Sequence, residues 1–402
     1  MITLARDVAL PHRDVLLDDR AMAGRLRAGL GAGDACERES AWYSVGKRAW
    51  AVYRVGAGER VALQMFARLE DAERLYARAK GERAVAIDRE LNMVMWTLPH
   101  DPGLTTLFAL DDGGATVSAL LGRRLEAQLV AYQPGRRAVA RCTDASGAAV
   151  AYAKVYHDDR GERVASAQAD LAARLADDPD LRVPRVLAYS REHRMLVAEA
   201  ASALSIRELP RDRREWGARR LGVALARLHD LEPPAGLRAG ADFSADRLQR
   251  VVETVALMRP DARALAEEVI DVLTERRPRR EGPWVCTHGD AHVSNALFEE
   301  ERVNLIDLDD LSLAPAGRDF ARPLARIRIQ RVTGKRTAEE TRAREAALLA
   351  GYGERRGLPS PDVLGWYPAW VLVARAKTLE WLNGAMAPHL VSVLREAREM
   401  LG

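Results

Sequence analysis

Apolar and polar positions alternate with two different periods along the chain, and the change from one to the other divides it. From 136 to 156 the period is two. Apolar positions in 136–143 and 149–156 flank Asp144-Ala145-Ser146-Gly147, a turn-forming cluster, so the pattern predicts a β-hairpin. A helical stripe follows over 160–177, with Val164, Leu171 and Leu175 on one face and Gln168 among them. Residues 186–189 and 195–198 read as two further strands, joined by Ser190-Arg191-Glu192-His193. After Ala200 the helical period dominates. Leu221, Leu225 and Leu228 mark a helix ending at Leu228-His229, and another spans 262–273 until Pro278 and Pro283 interrupt it. Trp284-Val285-Cys286 is a short apolar strand. From Arg318 onward the pattern is helical, with breaks at Gly357-Leu358-Pro359 and Pro388.

The strand pattern occurs twice. Tyr43-Ser44-Val45-Gly46-Lys47-Arg48-Ala49-Trp50-Ala51-Val52 parallels Tyr132-Gln133-Pro134-Gly135-Arg136-Arg137-Ala138-Val139-Ala140-Arg141. Further on, Arg89-Glu90-Leu91-Asn92-Met93-Val94 parallels Arg191-Glu192-His193-Arg194-Met195-Leu196. The first copy has a much shorter helical piece between its matched segments. It reads as a decayed duplicate of one small α+β unit.

Composition narrows the field. At 402 residues the chain is too long for one core, so two or three domains are expected. A net charge of +3 argues against a dedicated nucleic-acid binder. The basic stretches Arg211-Asp212-Arg213-Arg214 and Arg276-Arg277-Pro278-Arg279-Arg280 read as solvated helix ends or loops. No apolar run approaches the roughly 20 residues that span a bilayer, and the N-terminal stretch lacks a leader's apolar core. Cys36, Cys142 and Cys286 share no CxxC spacing, which suits a reducing cytoplasm. His12, His100, His157, His193 and His389 form no metal-ligand pattern, and Gly334-Lys335-Arg336 lacks the rest of a P-loop.

The densest chemistry lies in His288-Gly289-Asp290-Ala291-His292-Val293-Ser294-Asn295, followed by Leu305-Ile306-Asp307-Leu308-Asp309. Phosphoryl transfer from ATP needs one carboxylate to orient the acceptor hydroxyl, and an amide and a second carboxylate to hold magnesium on phosphate oxygens. Asp290, Asn295 and Asp307 supply that inventory. A lone lysine in the strand Ala151-Tyr152-Ala153-Lys154-Val155-Tyr156 is costly to bury unless an anion meets it.

With its H-G-D-x-x-x-x-N loop and following I-D-x-[DE] strand, the chain resembles the aminoglycoside phosphotransferase family, which includes choline-kinase-like and related small-molecule kinases. Landmarks extend over about 132–321: Leu228-His229, Val183-Pro184 and Asp319-Phe320-Ala321 are similar to family segments. The resemblance implies an α+β, protein-kinase-like two-lobed fold. Residues 126–200 would be the nucleotide-binding small lobe and 201–402 the helical lobe, with the N-terminal small-lobe-like domain (1–125) additional. It implies Asp290 as catalytic base, Asn295 and Asp307 as magnesium ligands, and Lys154 on the ATP phosphates. His288 and Gly289 would brace the loop, and His292 would either make a supporting loop hydrogen bond or act directly in catalysis. Gly135 and Arg136 would belong to the loop over the phosphates, and backbone groups at Glu199 and Ala200 would meet the adenine.

Three departures qualify this picture. The helix after Lys154 offers Gln168 where kinases place a glutamate. Asp309 adds a carboxylate that serves either a secondary contact or a solvated one. Gln64 stands in the first copy where Lys154 stands in the second, so the first copy is expected not to bind ATP. Trp370, Ala374, Lys377 and Trp381 share one helical stripe, a buried seam or a wall of the acceptor pocket. The leading expectation is transfer to a hydroxyl of a small metabolite, sugar or antibiotic. A peptide Ser/Thr kinase, a pseudokinase-like scaffold using its N-terminal domain to bind a protein partner, and nucleotidyl transfer are the alternatives.

Overall fold

The computed structural model describes the chain except residues 1–5, 34, 57, 80, 202, 203, 207, 241, 242, 244, 280, 293 and 377–388. The chain divides into two compact units. One gathers Met1–Gly161 with Leu187–Ala198, and the other gathers Glu162–Val186 with most of the chain from Glu199 onward.

The first unit opens with α1 (Asp19–Leu30), whose N-terminus is capped by the Asp18 carboxylate. Strands β1 (Cys36–Ser44), β2 (Arg48–Val55) and β3 (Glu59–Phe66) lead through α2 (Leu69–Tyr76) to β4 (Val85–Asp88) and β5 (Met93–Thr97). The sheet order is β1-β2-β3-β5-β4. After α3 (Ala115–Leu121) come β6 (Glu126–Gln133), β7 (Arg137–Thr143) and β8 (Ala149–Tyr156). Helix α4 (Arg160–Arg174) and the two-residue β9 (Leu181–Arg182) precede β10 (Val186–Ser190) and β11 (Met195–Glu199). The second sheet runs β6-β7-β8-β11-β10, the same topology as the first. Even the register repeats: Gln64 lies opposite Trp50 and Lys154 opposite Val139, each partner being the third residue of its strand. Each sheet begins one strand earlier than the sequence pattern indicates. No side chain of β6 is fully buried; Ala127, Leu129 and Tyr132 pack only partly against the core, so the apolar signal of this edge strand is weak.

The segment from Leu104 to Leu125 does not pack as part of the first sheet. Leu104, Leu107, Leu110 and Val117 form one core with Ala138, Ala140, Ala151, Ala153 and Val155 of the second sheet. A face of small residues lets this cover lie close, and the boundary expected at 125 falls within that core.

The second unit is mainly helical. Strand β12 (Leu204–Ser205) precedes α5 (Arg214–Asp230), α6 (Ala245–Met258) and α7 (Arg263–Glu275). Four short strands follow: β13 (Trp284–Thr287), β14 (Ala296–Glu299), β15 (Arg302–Leu305) and β16 (Ser312–Pro315). Then come α8 (Arg318–Val332), α9 (Ala338–Gly353), α10 (Pro361–Ala376) and α11 (Leu390–Met400). The turn between α8 and α9 is a break that the apolar pattern does not show; Gly334 enters it with φ 70°. Helices α5 and α9 meet backbone to backbone. A Cβ on Gly222 would lie 2.1 Å from the Leu348 carbonyl oxygen, and one on Gly351 would lie 1.9 Å from that of Arg219.

Within the first unit the two sheets are joined by a buried carboxylate. Asp101, 2% exposed, accepts from Gly103 and Leu104 N–H through Oδ1, and from Tyr132 O–H and Gly135 N–H (both 2.7 Å) through Oδ2. Gln64, also buried, donates its amide to the Pro134 carbonyl at 2.8 Å, and Trp96 Nε1–H donates to Tyr132 Oη at 2.9 Å. The position equivalent to the second sheet's lysine thus holds the second sheet's first hairpin. Burial pushes the Asp101 carboxyl up, against the pull of its four donors. Asp101→Ala leaves those donors without their acceptor at a site closed to water, and each buried unsatisfied group costs about 1–3 kcal/mol. Urea unfolding should show a loss of at least that size, with Asp101→Asn intermediate; an unchanged midpoint would refute the joint.

Candidate active site

The loop after β13 is shaped by a residue of α8. Asp319, 1% exposed, accepts from the backbone N–H groups of His288 and Gly289, both at 2.7 Å. His229 at the end of α5 gives it a third bond from Nε2 at 3.1 Å, and Nδ1 of the same ring accepts from Tyr352 Oη at 2.9 Å. Burial raises the Asp319 carboxyl, but the bond from His229, the neighbouring His288 and the Gly289 N–H together hold it below the ordinary carboxylate range. Gly289 has φ 77°, and a Cβ there would lie 2.3 Å from the Asp310 carbonyl oxygen, so only glycine fits the turn. His288 ties the loop to the strand beside it. Its Nε2–H donates to the Ile306 carbonyl at 3.0 Å, while Nδ1 accepts from Asp290 N–H at 3.3 Å. Both ring nitrogens are therefore occupied in bracing.

Asp290 emerges from this scaffold half-buried. Arg322 Nη1 of α8 lies 2.7 Å from its Oδ1, an ion pair off the line of a hydrogen bond, so the buried Oδ1 has no hydrogen-bond donor among the described residues. His292 Nε2 stands 3.6 Å from the same oxygen, beyond hydrogen-bond distance. Burial raises the Asp290 carboxyl; Arg322 and His288 oppose the rise, and Asp310 and Asp307 add to it. His292 accepts Ser294 N–H at Nδ1 (3.1 Å), and burial with the cations Arg326, Arg322 and Arg375 pushes its pKa down to about 3. Burial and these cations favour the neutral ring, which suits packing and hydrogen bonding.

Asn295 is buried at the loop's end. Its Nδ2 donates to the Asp290 carbonyl at 3.1 Å, which leaves Oδ1 as its remaining polar atom. Ile306 N–H donates to the Asn295 carbonyl at 2.9 Å, so Asp307 follows directly on a residue bonded to Asn295. Asp307 has φ 62°, a conformation uncommon outside glycine, and opens the short turn that holds Asp309 and Asp310. Among the described residues no group of three or more His, Cys, Asp and Glu is arranged around a metal. An amide oxygen and one carboxylate suit a hard cation that keeps waters and takes phosphate oxygens, as magnesium does.

The other expected residues are distributed over both units. In the first, Lys154 is half-buried on the face of β8 opposite the alanines, its ammonium 5.6 Å from the Tyr156 ring centroid. Gly135 (φ 68°) lies in the turn between β6 and β7, where Arg136 N–H donates to Gln133 and the Arg136 carbonyl accepts from His157. In the second, Gln168 is buried on α4 and donates its amide to the Pro184 carbonyl at 2.7 Å. The carboxylate of Glu199 pairs with Arg182 and Arg185, and its N–H is spent on the Arg185 carbonyl; Ala200 follows it in a loop. Trp370 and Ala374 pack in the apolar core among α6, α7, α8, α10 and α11, with the Trp370 ring 4.5 Å from that of Phe243, whereas Lys377 and Trp381 lie outside the described residues. Sequence reasoning passed over Arg322 and Arg326. In an arginine-rich chain only their four-residue spacing behind Arg318 sets them apart.

The model of the phosphotransferase enzyme family matches residues 130–367, more than half of the chain. No curated protein matches. The solved structures similar to it include spectinomycin phosphotransferase APH(9)-Ia in complex with ADP and spectinomycin (15% identity, 71% of this chain and 95% of that one, TM-score 0.47). They also include aminoglycoside phosphotransferase APH(3'')-Id from Streptomyces rimosus (22%, 67% and 98%, TM-score 0.45) and amicoumacin kinase hAmiN with AMP-PNP and Ca2+ (17%, 68% and 87%, TM-score 0.48). The chain belongs to the phosphotransferase enzyme family.

Proposed function

We propose that the protein transfers the γ-phosphoryl group of ATP, with magnesium, to a hydroxyl of a small metabolite, sugar or antibiotic. The observation that carries this reading is Asp290: a carboxylate braced from its backbone, with one buried oxygen lacking a hydrogen-bond donor, one loop from Asn295 and next to the strand end bearing Asp307. With Oδ1 buried against Arg322, the other carboxylate oxygen is the one that would accept the acceptor's O–H and take its proton as the hydroxyl oxygen attacks phosphorus. Asn295 and Asp307 would hold magnesium, which supplies charge neutralisation on the phosphate oxygens. Lys154 would grip the phosphates, with Gly135 and Arg136 over them and Glu199 and Ala200 toward the adenine. The first sheet takes no nucleotide in this reading. Its Gln64 and Asp101 hold the hairpin that carries Gly135.

Incubation with MgATP and a panel of hydroxyl compounds, read by mass spectrometry, should give a product heavier by one phosphoryl group. Product carrying AMP, or no ATP consumption with any acceptor, would reject the assignment. Asp290→Asn should lower kcat by about 10²- to 10⁴-fold while leaving nucleotide affinity nearly unchanged; full activity would remove the base role. A second expectation concerns pH. The base works ionised, so the rate falls as pH drops below its pKa. Arg322 favours the ionised form. Arg322→Gln should therefore raise that pKa and move the acid limb of kcat/KM to higher pH. A limb that stays put, or moves down, would contradict the pairing.

A further inference from the structure

The second unit contains a cavity of about 200 Å³ between α5, α8, α9 and the α8–α9 turn. Five cations line it: Arg214, Arg326, Lys335, Arg336 and Arg344, with Gln330 among them and an apolar floor. Three of these belong to segments whose sequence suggested nothing of the kind. Arg214 closes a basic run read as a solvated helix end, and Lys335-Arg336 follow Gly334 in the turn between two helices.

Arg344 is the most telling member. It is 7% exposed, and among the described residues it has neither a hydrogen bond nor an ion-pair partner. Burial, with Arg336 and Arg214 beside it, pushes its pKa down to about 10. The nearest acids, Glu340 and Glu215, offset this only in part. Glu340 spends its carboxylate on the Thr337 N–H as part of a capping box, and Glu215 is exposed on α5. A buried cation among cations is unfavourable by itself, and a bound anion is the group that would offset it. The cavity is smaller than the roughly 300–1,000 Å³ of pockets for drug-sized ligands, so its occupant is compact.

The cavity is also connected to the catalytic loop. Arg322, Arg326 and Gln330 lie four residues apart on one face of α8, about 6 Å of helix rise per step. Arg322 meets Asp290, Arg326 donates to Ser294 Oγ at 3.1 Å beside Asn295, and Gln330 accepts from Arg336. One stripe of the helix therefore runs from the proposed base into the basic cavity.

We propose that this cavity binds a compact, multiply charged oxyanion, a phosphate or pyrophosphate group, seated on Arg344, Arg336, Lys335 and Arg214. The anion is either the acceptor's own phosphate or a separate phosphate-bearing ligand. The site follows from its geometry and stands whether or not the ATP reading holds.

Calorimetric titration with sodium pyrophosphate, in EDTA, without nucleotide and at constant ionic strength, tests it. Wild-type protein and Lys154→Ala should bind with equal affinity at one saturable site. Arg344→Gln should weaken binding by tenfold or more, and its ligand-free form should melt above wild type because a buried repulsion is gone. Should Arg344→Gln fail to fold, the less buried pair Lys335→Gln/Arg336→Gln serves, with the same loss expected. Absence of saturable binding, undiminished affinity in the pocket variants, or loss of binding in Lys154→Ala would each overturn the proposal. Turnover with a hexose 6-phosphate against the parent hexose separates the two sources. A preference for the phosphorylated sugar whose KM alone rises in the Arg344→Gln or Lys335→Gln/Arg336→Gln protein identifies the acceptor's phosphate. Pyrophosphate binding with no such preference identifies a separate ligand. An enzyme inactive on every acceptor would count against the kinase reading and leave the binding result standing.

Discussion

The Asp319 carboxylate, buried on α8, accepts the two N–H groups that begin the catalytic loop and is itself steadied by His229 and, through that ring, by Tyr352. An ionised carboxylate out of water costs several kcal/mol unless its lone pairs are met, and here three donors meet them. The gain is geometric. Two adjacent amides fixed to one carboxylate set the direction of the chain at His288 and Gly289, and Gly289 then turns where no side chain fits. Everything beyond follows from that direction: the brace from His288 to Ile306, the emergence of Asp290, and the return to Asn295.

Around Asp290 burial and the neighbouring charges, Arg322 foremost among them, set the electrostatics. Arg322 stands against the carboxylate, and Arg326 and Arg375 favour the neutral ring of His292. Opposing influences leave the Asp290 carboxyl raised by burial yet held in check by a neighbouring charge. A base tuned in this way takes a proton more readily than a fully solvated aspartate does. The same helix, one and two turns on, supplies two residues of the basic cavity.

The first unit shows how a duplicated sheet takes another use. The two sheets share strand order and register, and the paired positions 64 and 154 differ by one substitution of chemistry, an amide for an ammonium. A neutral amide has no use for phosphate oxygens, but it is a good donor to a carbonyl, and Gln64 donates to Pro134. Asp101 completes the joint by taking the Gly135 N–H. A loop with one glycine, weak as a phosphate-binding signal, is stiffened from outside by its neighbour.

What the sequence by itself determined is local. Period two and a turn cluster located the hairpin at Asp144–Gly147, period 3.6 located α4 with Gln168 on its buried face, and a short run of polar residues marked the loop from His288 to Asp307 as the chemical centre. These signals survive in one dimension because neighbouring residues create them. Other features exist only when distant segments meet. Asp101 lies 34 residues from the amide it accepts, Asp319 lies 31 from His288, and no composition or periodicity relates them. The edge strand β6 buries its side chains only in part, so its pattern is weak. The basic cavity draws on three helices and a turn, and in a chain so rich in arginine only their convergence, with Arg344 buried among like charges, distinguishes those side chains from the solvated ones.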